Sequence, residues 1–158
     1  MNRDFPEPRL EHIFDLHADL EAPQMIGQTP AGNRQIWVVK GGWLEGPKLK
    51  GEAIPGGGDW ALVRTDGVIQ LDVRASVRLD DGALLYMYYS GLIAAPQAVF
   101  GRLFSGEDVP LDEYYFYTNP MFQTGADKYA WLNQVVAIGR GRVVPGAVEY
   151  RVWAVRNP

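Results

Sequence analysis

Residues 69–93 read IQLDVRASVRLDDGALLYMYYSGLI, and this stretch decides the fold. From Ile69 to Leu79 apolar and polar residues alternate, so that Gln70, Asp72, Arg74, Ser76 and Arg78 share one side of the run. That is the period of a β-strand, whose successive side chains point to opposite faces. Asp80-Asp81-Gly82 follows, and then a second strand-like run, Leu84–Ile93. An Asp-Gly pair between two such runs is a strong hairpin signal. Thr65-Asp66-Gly67 repeats the signal one connection earlier.

Working outward, further runs fall at His12–Leu20, Arg34–Leu44, Trp60–Arg64, Tyr114–Thr118, Gln134–Arg142 and Ala147–Val155. Only Ala94–Phe104 and Ala126–Asn133 could carry a helical turn or two, and both are short. Parallel strands need crossover helices, so the strands must be antiparallel, paired as a sandwich or closed on themselves. Closure removes exposed edges. The expected fold is all-β: a single antiparallel β-barrel of about eight strands in meander order, with one or two short helical turns. Residues 1–158 are read as one domain, with 1–10 an irregular N-terminal segment. Gly46–Asp59, with five Gly and two Pro, reads as a loop.

Composition bounds the chemistry. The chain has 158 residues, net charge −4, two His and no Cys, which removes disulfides, thiolate catalysis and sulfur-based metal sites. The basic residues are scattered, so the expected partners include neither nucleic acid nor membrane. MNRDFPEPRLEH has acids and prolines where a secretory leader would be basic and then apolar, and a cytoplasmic location is the expectation. His12 and His17 face opposite ways on one strand. Asp15, His17 and Asp19 form a weak candidate metal set, since such carboxylates usually solvate a surface; no metal and no cofactor are expected.

Three constellations could carry chemistry. Pro55-Gly56-Gly57-Gly58-Asp59-Trp60 lacks both the Walker Lys-Ser/Thr pair and a following helix, so it is a tight turn or a site-lining loop. Asp72 and Arg74 share a strand face: turned outward they make a surface ion pair, turned inward an orienting site for an anion or carbonyl. Strand statistics favour the solvated reading. The aromatic strings Tyr86-Met87-Tyr88-Tyr89 and Tyr114-Tyr115-Phe116-Tyr117 either pack the core or line a lumen.

From about Gly27 to Val155 the chain resembles the bacterial and fungal domain-of-unknown-function family 3237. The resemblance rests on Gly41-Gly42, Gly46-Pro47, Leu49, Gly51, Pro55–Trp60, Leu71–Arg74, Asp81-Gly82, Thr118–Thr124 and Tyr129–Asn133. Tyr117 stands where the family pattern has Arg, and Gln123 where it has Glu. The resemblance implies an antiparallel β-barrel, often a homo-oligomer, and little about activity.

Three functions fit. The first is a cofactor-independent lyase, isomerase or cyclase acting on a small hydrophobic or aromatic carbonyl compound. Asp59 would be the general base, its pKa raised by Trp60, and Arg74, held by Asp72, would stabilise a developing oxyanion. Tyr88, Thr118, Trp131 and Asn133 would shape the pocket. The second is a non-catalytic binding barrel for an apolar ligand, and the third a structural or assembly protein whose aromatic strands bury against a partner.

Overall fold

The alternation over residues 69–93 becomes a hairpin in the computed structural model, which describes residues 4–158. Among these, ten strands form one antiparallel sheet: β1 (Arg9–Leu20), β2 (Gln24–Thr29), β3 (Gly32–Glu45), β4 (Lys50–Val63), β5 (Ile69–Leu79), β6 (Leu84–Ala94), β7 (Tyr115–Thr118), β8 (Met121–Gln123), β9 (Ala137–Val144) and β10 (Ala147–Arg156). One α-helix, α1 (Gln97–Phe104), joins β6 to β7, and a 3-10 segment, Asp127–Gln134, joins β8 to β9. Among the described residues no helix is long and apolar enough to cross a membrane.

The sheet runs β1-β10-β9-β7-β6-β5-β4-β3, and β1 pairs with β3 as well as with β10. Eight strands therefore close into an antiparallel barrel in meander order. The other two strands are extensions: β2 pairs with the start of β3, and β8 continues β7 along β6. Strand structure begins at Arg9, inside the stretch expected to be irregular, and residues 1–3 of that stretch lie outside the described residues.

In the β5–β6 hairpin, Leu71, Val73, Val77 and Leu79 face inward beside Leu85, Met87 and Tyr89, all buried. Its turn is fixed by the Asp81 Oδ1, which accepts the Ala83 N–H at 3.0 Å, and by Gly82 at φ +88°. The Tyr129 hydroxyl donates to the other Asp81 oxygen at 2.9 Å, tying this end of the barrel to the 3-10 segment.

Gly46–Asp59 is not the loop expected of it, because a strand starts at Lys50 and absorbs the glycines as a bulge. Ile54 pairs with Ser76 and Gly58 with Arg74, so Pro55, Gly56 and Gly57 stand opposite Ala75 alone. A Cβ on Gly57 would meet the Arg74 carbonyl oxygen at 2.5 Å, and Gly56 sits at φ +106°. The two extra residues leave the strand's inward parity unchanged, with Ala53 and Ala61 buried on either side. In β3, the bulge at Gly41-Gly42 does switch parity, from inward Val39 to inward Leu44. On its other edge, against β1, β3 carries the same irregularity: Asp19 pairs with Gly41 and Leu20 with Val39, so Lys40 is the extra residue. The buried residues accordingly fall into a main core and a small cluster of Ala18, Val39 and Ala53.

His17 links three strands on the outer surface. Its Nδ1 lies 3.0 Å from Glu149 of β10, its Nε2 3.1 Å from Asp19, and its ring stacks on Trp43 of β3. Burial alone would lower its pKa, but hydrogen bonds and charge from Glu149 and Asp19 outweigh it and the net shift is upward. A raised histidine pKa gives stability that is full below the unfolded value near 6.5 and lost as pH rises through the folded value. His17→Gln is expected to cost more stability at pH 5 than at pH 8, as read by urea denaturation.

Glycine geometry gives a second expectation. A Cβ on Gly42 would lie 1.9 Å from the His17 carbonyl oxygen, whereas one on Gly101 of α1 would meet nothing within 4 Å. Gly42→Ala should lose about 3 kcal/mol or more, while Gly101→Ala should gain roughly 0.5–1 kcal/mol, both measurable by thermal melting.

Candidate functional site

The barrel encloses a cavity of about 450 Å³, within the range of small-ligand sites. Its walls are aliphatic: Leu16 and Ala18 of β1, Val39 of β3, Ala53 of β4, Leu71, Val73 and Val77 of β5, and Met87 and Ile93 of β6. Glu21–Pro23, the end of α1 with Ser105-Gly106, and the β9–β10 turn at Val144–Gly146 line one end, where most of these residues are exposed. The cavity lies between the main core and the Ala18, Val39, Ala53 cluster, and so splits the interior in two.

Polar side chains reach this lumen at few points. Cross-strand pairing sets Trp37, Asp59, Val73 and Tyr89 in one row across β3, β4, β5 and β6, all lining the cavity. Tyr150 enters from β10, its ring edge-on to Tyr89 with centroids 5.6 Å apart. Gln35, two residues before Trp37, adds an amide. Burial pushes the Asp59 carboxyl up, to about 6. The Asp72 backbone N–H, donating to Asp59 Oδ1 at 2.9 Å, opposes the rise; the Asp72 carboxylate adds to it and Arg34 subtracts from it. Burial also holds both phenols well above their ordinary range, each further raised by the Asp59 charge.

Of the residues singled out from sequence, Asp59 alone lines the lumen. Trp60 follows it on the same strand and therefore points out, where the Arg74 guanidinium lies 5.8 Å from its ring centre. Asp72 and Arg74 flank inward Val73, so their side chains are solvent-exposed and make only a surface ion pair of 3.4 Å. The orienting role expected of Arg74 fails on this parity. Tyr88 is the cross-strand partner of Arg74 and shares its outer face, stacked on Tyr86.

Thr118 is buried on β7, away from the cavity lining, in a notch that Gly91 and Gly139 leave open. Trp131 closes the far end, set between Lys48 and Arg156 at 5.3 and 5.5 Å. Asn133 accepts the Thr124 N–H at 2.8 Å and donates to the Thr124 carbonyl at 3.0 Å, a loop clamp rather than a pocket wall. Tyr117 and Gln123, the two departures from the family pattern, are outward on β7 and β8. Asp15 is engaged by Arg151 at 2.8 and 2.9 Å, and among the described residues no three His, Cys, Asp or Glu side chains are placed to hold a metal ion.

Sequence reading named Tyr89 only within an aromatic string and assigned the pocket to Tyr88 instead, and it missed Tyr150, Gln35 and Trp37. The register held the signal for the first. Once Asp59 opposes Val73, the next residue in the row is Tyr89, and Tyr88 must face out.

A family model described as "Protein of unknown function (DUF3237)" matches residues 8–155, and the chain belongs to this family. A UPF0311 protein of Clostridium acetobutylicum is 36% identical over 127 residues, which cover 80% of each chain. The crystal structure of a beta-barrel like protein from Acinetobacter baumannii superposes with a TM-score of 0.85 at 34% identity, covering 98% of this chain and all of that one. The hydroalkoxylation enzyme phnH of Penicillium herquei is 26% identical over 132 residues, 84% of this chain and 73% of that protein.

A carboxyl that titrates near 6 when folded and near 3.8 when unfolded lowers stability as pH rises between those values. Asp59→Asn keeps the acceptor for the Asp72 N–H and removes the charge. It should raise stability at pH 7 by roughly 3 kcal/mol and give little gain at pH 4, read by denaturant midpoints across pH.

Proposed function

We propose that this member of the family is a small-molecule barrel, with the lumen as its ligand site and Asp59 as a proton carrier. The observation that carries the reading is a single carboxyl, pushed up to about 6, on an otherwise aliphatic wall. A base of that kind is half-ionised at about pH 6 and mostly ionised at neutral pH, while still basic enough to accept a proton in the transition state. Asp59 would take a proton from carbon or hydroxyl of a small hydrophobic or aromatic carbonyl compound and return it at another position. Lyase, isomerase and cyclase chemistry all reduce to that exchange, and the proton balance closes without an external electron donor or acceptor. The name of the Penicillium herquei relative supports this class, since hydroalkoxylation adds an O–H across a carbon–carbon double bond.

A second reading has its own observation. Asp59 already accepts the Asp72 N–H, so the carboxyl could serve only to fix the β4 bulge in a binding barrel. The two readings part on Asp59→Asn. We expect the wild-type protein in D2O to exchange the methyl protons of 2-acetylnaphthalene. The rate should rise with pH through about 6, and Asp59→Asn should lose it at least a hundredfold while still binding the ketone. Binding without turnover in both proteins would favour the non-catalytic barrel.

A further inference from the structure

The lumen has an unusual charge inventory. Among the described residues its lining includes neither Lys, Arg nor His, and its only carboxylic acids are Asp59 and Glu21, the latter exposed at the mouth. Anionic molecules therefore find no counter-charge inside and one carboxylate against them. Beside the Gln35 amide and the Trp37 indole stand two phenols, Tyr89 and Tyr150, 9% and 5% exposed. Burial keeps both protonated, and their rings meet edge-on with centroids 5.6 Å apart. Each hydroxyl carries one donor proton and can also accept. Both line the cavity, where a phenol O–H gains a partner when a guest carries an acceptor oxygen.

We propose that the Tyr89–Tyr150 pair is the recognition site for a neutral acceptor oxygen, and that the ligand is an uncharged, largely apolar carbonyl or ether compound rather than a carboxylate or phosphate. This rests on the lumen being the ligand site, as argued above. It assigns to two tyrosines the polarising role that sequence reading gave to Arg74. The row from Asp59 through Val73 to Tyr89 sets one of the phenols and the proton carrier on the same wall, two strands apart. A carbonyl held by the phenols presents its adjacent C–H toward that wall.

Three probes of one shape separate the possibilities: 2-acetylnaphthalene, 2-isopropenylnaphthalene and 2-naphthoate, titrated calorimetrically into wild-type protein at pH 7.5. The ketone should bind about tenfold tighter than the hydrocarbon, and the carboxylate at least tenfold weaker than the ketone. Tyr89→Phe and Tyr150→Phe should each reduce the ketone's advantage towards one while leaving hydrocarbon affinity unchanged, which also reports that the lumen is intact. Equal binding of ketone and hydrocarbon by the wild-type protein overturns the assignment and leaves the lumen reading standing. So does a preference that survives both substitutions, or tightest binding by naphthoate. If none of the three binds, the lumen reading falls and this assignment with it. Should either variant fail to fold, the wild-type ratios alone decide.

Discussion

Closure through β1 is the constraint on which the rest of the structure depends. Its backbone pairs with β10 from Arg9 to Asp19 and, on its other edge, with β3 from Asp15 to Leu20. With both edges engaged, every strand acquires an inside and an outside, and the two-residue period of the sequence becomes a partition of chemistry. Aliphatic residues of odd number on β5 and β6 are enclosed, and Asp72, Arg74, Arg78 and Tyr88 are left in solvent. A sandwich of the same strands would have buried the same faces but left edges to protect.

The sequence carried the strand pattern plainly because it is local. Ile69–Leu79 was readable to the residue, and the Asp80-Asp81-Gly82 turn followed from backbone preference alone. β2 and the first half of β4 were not readable. In β4 the glycines that normally end a strand instead form a bulge, which only the opposing Arg74 carbonyl makes necessary. β8 is three residues long and takes its strand geometry from the neighbouring Tyr86–Tyr88.

The site was legible only at Asp59. Its acidity depends on being walled in by strands far apart in sequence, and Tyr150 reaches the lumen from a strand 91 residues later in the chain. The recognisable strings that drew attention, Leu71–Arg74 and Tyr129–Asn133, do hold the site together, though from outside. Asp72 contributes its backbone N–H, and Trp131 and Asn133 fasten the far end of the barrel.

The divided interior has a consequence for how this protein can change. Ala18, Val39 and Ala53 face the main core across a gap that side chains do not fill. Enlarging either alanine would join the two clusters and add dispersion contacts, at the expense of the room left for a guest. Mutational drift toward a sturdier fold and retention of a ligand thus pull on the same methyl groups in opposite directions. The small side chains at positions 18 and 53 are therefore where selection for occupancy would leave its mark.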